Sequence, residues 1–156
     1  MERSKVEHTI EKSEFFRGLD RTYLLKIASL CQIQTYEPGE SVFSQGDYGE
    51  HLYIIADGHI SLERSVDLGA RKGTAVIGVL GKGRILGCWS TLLGEPHNLM
   101  SSAICQKPTE VVAVKGSDLR EMMTSNSELG FVLLERLCFL LRDRIEGAFG
   151  AMEKLL

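Results

Sequence analysis

The stretch Tyr36–Gly58, YEPGESVFSQGDYGEHLYIIADG, decides the fold. Glu37-Pro38-Gly39-Glu40 reads as a turn, because Pro fixes φ and Gly is free to take φ above zero. Ser44-Gln45-Gly46-Asp47 reads as a second turn. Asp57-Gly58 is a strong signal for a two-residue hairpin. Between them lie short apolar runs: Val42-Phe43, Leu52-Tyr53-Ile54-Ile55 and Ile60-Ser61-Leu62. Strands this short, with turns this dense, cannot make a wide open sheet. They predict an antiparallel β-roll of the double-stranded, jelly-roll-like kind.

Outward from that stretch the pattern turns helical on both sides, so the fold class is α+β and the 156 residues read as a single domain. Residues 1–30 predict N-terminal helices. Val6, Ile10, Phe15 and Phe16 supply an apolar side, Gly18 breaks the run, and Asp20 caps a second short helix carrying Leu24, Leu25, Ile27 and Ala28. Residues 31–115 are the β-roll, with further strands at 74–80 and 110–114 and an exposed hairpin tip at 66–73. Residues 116–156 predict helices at 118–124 and 128–155, with Ser117 and Ser127 as caps.

Composition narrows the function. The net charge of −3 gives no reason to expect a nucleic-acid or anionic-membrane partner. The charged N-terminus, MERSKVEHTIEKSEFF, lacks the apolar core of a signal peptide, and no apolar run is long enough to span a membrane. Cys31, Cys88, Cys105 and Cys138 are widely spaced with no C-x-x-C. They read as free thiols of a cytoplasmic protein rather than as a zinc site. No nucleophile–base pairing or metal-ligand spacing stands out, so an enzyme is not expected.

The last helix carries two apolar stripes. Phe131, Leu134, Cys138, Leu141, Ile145, Ala148, Met152 and Leu155 recur at alternating three- and four-residue spacing, the 3.5-residue period of a coiled-coil seam. Leu133, Leu137 and Leu140 form a second stripe that fades after Leu140. Two stripes need two partners. The expectation is that one packs on the roll and the other, through Leu134, Cys138, Leu141, Ile145, Ala148 and Met152, forms a homodimer. Gly147 and Gly150 weaken the helix by up to about 1 kcal/mol each relative to Ala.

The spacing Tyr36-x-x-Gly39-Glu40-x-Val42-Phe43-x-x-Gly46-Asp47, followed by Leu52-Tyr53-Ile54-Ile55-x-x-Gly58, resembles the first half of the cyclic-nucleotide-binding domain. The agreement of many constrained positions at once makes the likeness specific. The helix pair, roll and long final helix extend it over nearly the whole chain. The resemblance implies a stand-alone regulatory or sensor module that binds a cyclic nucleotide or related small ligand in the roll and signals through the C-terminal helix, acting on an effector protein of unspecified identity. No other cofactor is implied. The family's transcription factors continue into a helix-turn-helix. The residues after the final helix leave no room for one, so direct DNA binding is not expected.

In the family, the ligand sits in a cassette: a strand end, a glycine, a short helix, then a loop returning into a strand. A carboxylate after the glycine takes the ribose hydroxyl, and an Arg near the end of the loop pairs with the phosphate. The corresponding segment here is residues 84–103. Gly87 keeps the glycine, Ser90-Thr91-Leu92-Leu93 can form the short helix, and Gly94 can end it. Glu95-Pro96 reads as a turn, and Ser101-Ser102-Ala103 resembles the small-residue end. Both charges are missing. Cys88 occupies the carboxylate position, and the Arg position falls on His97, Asn98 or Leu99. Lys82, Arg84 and Glu95 read as solvated turn residues. Trp89 is either a core residue or a stacking face for a planar ligand.

The resemblance leaves two alternatives open. One is a degenerate scaffold of the same fold that dimerises and binds no nucleotide. The other is a haem-based sensor, with Cys88 and His97 as thiolate and imidazole donors. No metal site is expected otherwise.

Overall fold

The computed structural model describes residues 2–95 and 97–155; Pro96, half of the expected Glu95-Pro96 turn, lies outside the described residues. Among the described residues the roll has eight strands: β1 (Cys31–Tyr36), β2 (Ser41–Phe43), β3 (His51–Asp57), β4 (Ile60–Asp67), β5 (Lys72–Leu80), β6 (Ile85–Gly87), β7 (Ser102–Cys105) and β8 (Thr109–Lys115). They form two four-stranded antiparallel sheets, ordered β1-β8-β3-β6 and β2-β7-β4-β5.

The alternation of strand side chains builds two cores from one sheet. Leu52, Ile54, Ile85, Val112 and Val114 face the helices, with Ile10, Phe16, Ile27 and Leu133. Their neighbours Ile55, Leu86 and Val111 face the second sheet, with Phe43, Ile60, Leu62 and Ala103. A sheet buried on both faces reads as continuous apolar sequence, which is why β3 and β8 show unbroken apolar runs.

The two early turns form as read. The Asp47 N–H donates to Ser44 O at 3.0 Å, and Gly46 has φ 91°. The Asp57-Gly58 expectation needs correction. Gly58 does take φ 108°. However, β3 pairs with β6 and β8, while β4 pairs with β5 and β7, so Asp57-Gly58 is a corner between sheets rather than a hairpin.

Helix α1 (Glu2–Lys12) and helix α2 (Arg21–Ser29) flank a turn held by the buried Ser13 hydroxyl. It donates to Ile10 O at 2.8 Å and accepts from Phe16 N at 3.1 Å. This turn delivers Phe15 and Phe16 into the first core. Asp20 precedes α2 as read, but its side chain makes no capping bond.

Helix α3 (Gly116–Ser125) and helix α4 (Ser127–Leu155) complete the chain. Neither expected serine cap holds. Ser117 lies inside α3. At α4 the capping oxygen belongs to Asn126, whose Oδ1 accepts from Leu129 N at 3.0 Å and satisfies one orphan amide of the first turn. The stripe Leu133, Leu137 and Leu140 is buried against the roll and helices.

Further along, α4 lies against β5. Gly147 is more than a weak helix residue: a Cβ there would sit 2.1 Å from Ile77 O, whereas a Cβ at Gly150 would meet nothing within 4 Å. Propensity alone favours Ala at both sites by about 1 kcal/mol, but overpacking costs typically about 1–3 kcal/mol. Gly147→Ala is therefore expected to destabilise the domain and Gly150→Ala to stabilise it. Chemical denaturation of the two variants checks this, and equal shifts of the same sign would contradict the close approach.

Candidate ligand-binding cassette

The cassette begins where β6 meets β3. Gly87 pairs with Leu52 and has φ 127°; a Cβ there would lie 2.5 Å from His51 O. Only glycine fits this approach and this backbone. The next residues, Trp89–Leu93, form a short 3₁₀ helix that ends at Gly94 in the left-handed conformation. The expected short helix is thus present, one residue longer at its start.

Two contacts bolt this helix to α3. Arg120 Nη1 donates to Leu92 O at 2.9 Å. Thr91 packs onto Gly116 so closely that a Cβ on Gly116 would lie 1.7 Å from Thr91 Oγ1. The Thr91 hydroxyl also donates to Cys88 O at 2.7 Å. Neither Arg120 nor Gly116 was singled out from sequence, because their partners are 28 and 25 residues away, beyond any local pattern.

The returning loop closes on the opening turn region. Gly49 N donates to His97 O at 3.1 Å, Leu99 N to Asp47 O at 2.7 Å, and Gly46 N to Leu99 O at 2.8 Å. Asn98 bridges Tyr48. This ribbon sends Leu99 inward, where it is 7% exposed and packs in the core between the sheets, while Asn98 stays exposed.

Cys88 is fully buried, at 0% exposure, in the same core. It faces Gly49, where a Cβ would lie 2.7 Å from Cys88 Cβ. Its Sγ lies 3.3 Å from His97 Nδ1. The Ser90 hydroxyl bonds both the Glu95 carbonyl and His97 Nδ1. The Trp89 and His97 rings lie 5.3 Å apart, and Trp89 also packs on the helix-side core. The cassette's polar side chains therefore bond one another. Ser102 joins a separate contact, its Oγ accepting from Gln45 N at 2.8 Å; Ser101, beside it, is half-buried.

The cavity beside this loop measures about 180 Å³ and is lined by Val42, Phe43, Tyr48, Gly49, Tyr53 and Leu99, with Asp47, Glu50 and His51. Small-molecule sites usually span about 300–1,000 Å³. Among the described residues, its lining holds two carboxylates and no Lys or Arg. The cation that does reach the loop is Arg64 of β4, which donates to Met100 O at 2.5 Å. Sequence reading passed over it because it lies outside the cassette. Arg84 is not a solvated turn residue: it is half-buried and paired with Glu14 at 2.8 Å. A larger cavity, about 530 Å³, lies away from the cassette between α2 and α3, lined in part by Tyr23, Leu30, Met122 and Leu129.

The sequence profile described as the cyclic nucleotide-binding domain matches residues 33–126, and the chain belongs to that family. It is 32% identical over 106 residues to the cyclic AMP receptor protein of Thermus thermophilus, covering 68% of this chain and 47% of that one. It is 33% identical over 111 residues to a cGMP-dependent protein kinase of Plasmodium berghei, covering 66% of this chain and 12% of the kinase. The chain thus spans half or less of these relatives. Among solved structures, a cyclic nucleotide-binding domain from Methylobacillus flagellatus superposes with a TM-score of 0.77 at 19% identity, covering 99% of this chain and 84% of that one. The sensor domain of the transcriptional regulator DNR from Pseudomonas aeruginosa gives 0.74 at 18% identity, covering 94% and 95%. These last two likenesses show the fold. No helix among the described residues is long and apolar enough to cross a membrane.

The burial of Cys88 makes a direct prediction. Cys88→Glu alone places a carboxylate against Leu99 and the Gly49 backbone, at a cost of about 3 kcal/mol. Burial raises the folded-state pKa of the new carboxyl above its unfolded value, so the deficit shrinks as pH falls through that raised pKa. Urea melts at several pH values check both points; a pH-independent or absent deficit would contradict them.

Proposed function

We propose that this domain is a regulatory module in which the state of the cassette sets the position of α4 against the roll. The observation that carries the reading is the continuous mechanical path from the cassette. The 3₁₀ helix is fixed to α3 by Arg120 and by Thr91 on Gly116. Helix α3 in turn meets α4 at Asn126, which caps α4 and also bonds Tyr23 of α2. A ligand that moves the 3₁₀ helix moves α3 and α4 with it, the kind of two-state shift that ligands bias by differential affinity.

The ligand is a small molecule that does not rely on the family's carboxylate–guanidinium pair. Each charged contact of that type is typically worth about 1.5–3 kcal/mol, so losing both removes roughly two to four decades of affinity. Cyclic AMP and cyclic GMP are therefore expected to bind weakly or undetectably. A second reading, a dimerising scaffold that binds no nucleotide, is favoured by the buried Leu99 and by the mutual bonding of Cys88, Ser90 and His97.

Both readings use α4 as a homodimer seam. Phe131, Ile145 and Met152 are 68%, 53% and 56% exposed, and Phe149 on the same face is also exposed. Leu134 and Leu141 are half-buried against the helix-side core. Burying each exposed side chain in a two-fold seam contributes about 1.5–3 kcal/mol when burial is complete.

Two experiments test these readings. Calorimetry with cyclic AMP and cyclic GMP is expected to give no binding at micromolar affinity in the wild type. If the two losses are the cause, Cys88→Glu combined with Asn98→Arg gains affinity, and micromolar binding by the wild type would overturn the argument. Light scattering at tens of micromolar is expected to show a dimer that Ile145→Glu/Met152→Glu converts to monomer. A wild-type monomer, or a variant that stays dimeric, would count against the seam.

A further inference from the structure

Four charged side chains lie where the strand leading into the cassette, the turn after α1, and α4 converge. Arg84, in the residue before β6, donates from Nε to Glu14 Oε2 at 2.8 Å and from Nη2 to Asp143 Oδ2 at 2.9 Å. The same Glu14 oxygen accepts the β6 amide of Ile85 at 2.8 Å. Arg144 closes the group: Nη1 reaches Asp143 Oδ2 at 2.6 Å, and Nη2 donates to the Ile85 carbonyl. Ile85 thus has its amide and its carbonyl held by side chains from two other elements. Burial is the main cause holding the Arg144 pKa below its ordinary value, with the Asp143 carboxylate opposing the shift.

This geometry is unusual for surface charge. An exposed ion pair contributes little, because two long side chains must be ordered in water. Here the charges share partners, two guanidiniums on one carboxylate oxygen and one carboxylate on both a guanidinium and a backbone amide, and Arg144 is largely enclosed. Two residues beyond Ile85 comes Gly87, and then Cys88 and the 3₁₀ helix. Four residues beyond Asp143 comes Gly147, where α4 approaches β5 so closely that a Cβ would lie 2.1 Å from Ile77 O. The cluster therefore sits between the two moving parts of the proposed switch.

We infer that Arg84 and Asp143 are positioning residues that couple the cassette directly to α4, so that release of α4 from the roll and loosening of β6 with the 3₁₀ helix are one event. This is a second path, independent of the one through α3, and it rests on the reading of α4 as the responding helix. It gives the switch a latch. With the bridge made, the outer half of α4 is held down and Ile85 is clamped. With it broken, both are released together.

The test is hydrogen exchange on the full chain without added ligand, so its outcome does not depend on whether any nucleotide binds. Asp143→Asn changes a half-exposed side chain on α4 whose cassette contact is Arg84, at the strand end that leads into the 3₁₀ helix. It is expected to speed exchange about three- to tenfold both in peptides over residues 144–155 and in peptides over residues 85–94, leaving β1 and β8 unchanged. Arg84→Gln is expected to give the same paired pattern. Arg142→Gln, an exposed neighbour stacked on Phe139, is expected to give neither. In 1 M salt the wild type should move toward the Asp143→Asn pattern, because screening weakens the partly exposed bridge. Acceleration confined to α4, no change at residues 85–94, or a uniform rise across all peptides in Asp143→Asn would overturn the inference. If the latch fails while a ligand still shifts α4, only this second path is lost and the regulatory reading stands.

Discussion

The sheet β1-β8-β3-β6 is covered on both faces, and the remaining structure depends on its register. The apolar residues of β3 are divided between the two cores by parity, Leu52, Ile54 and Ala56 to one and Tyr53 and Ile55 to the other. Slipping β3 by one position would send Leu52 and Ile54 into the space between the sheets and Ile55 toward the helices. Gly87 has little tolerance for a shift, because a Cβ there would lie 2.5 Å from the His51 carbonyl. The start of the cassette is therefore placed by strand pairing, and its loop is then held by the bonds of His97 and Leu99 to the turn at residues 46–49.

The cassette has the shape expected from the sequence. Glycine, short helix, left-handed stop and returning strand are all present. Cys88, the thiol after the glycine, has no exposed surface, and Leu99 in the returning loop points into the core. Cys88 and Leu99 both join the apolar core between the sheets.

Much of this was legible in the sequence, and the misses share one cause. Turn chemistry at Pro38-Gly39 and Gly46-Asp47, the helical spacing of Leu133, Leu137 and Leu140, and the glycine before the 3₁₀ helix are local signals that the fold obeys. The errors lie where the deciding partner is remote. Asp57-Gly58 carries hairpin chemistry, yet the strands it joins find better partners in opposite sheets. Ser127 has the right side chain for a cap, yet Asn126 one residue earlier already has its carboxamide on the Leu129 amide. Arg84 looked solvated because Glu14 and Asp143 are 70 and 59 residues away. Phe149 shares a face with Ile145 and Met152 but falls outside the strict three-and-four spacing, so the seam reading omitted it.

The approach of Gly147 to Ile77 also bears on solubility. Strand β5 is the outer strand of its sheet, and Val76 and Val79 on it are already exposed. An open, apolar strand at a sheet edge is a template on which another chain can add. Helix α4, lying along β5, guards that template. If α4 is the responding helix of the proposed switch, a wide swing would also bare an adhesive border, so its useful travel would be bounded by the risk of unwanted self-association.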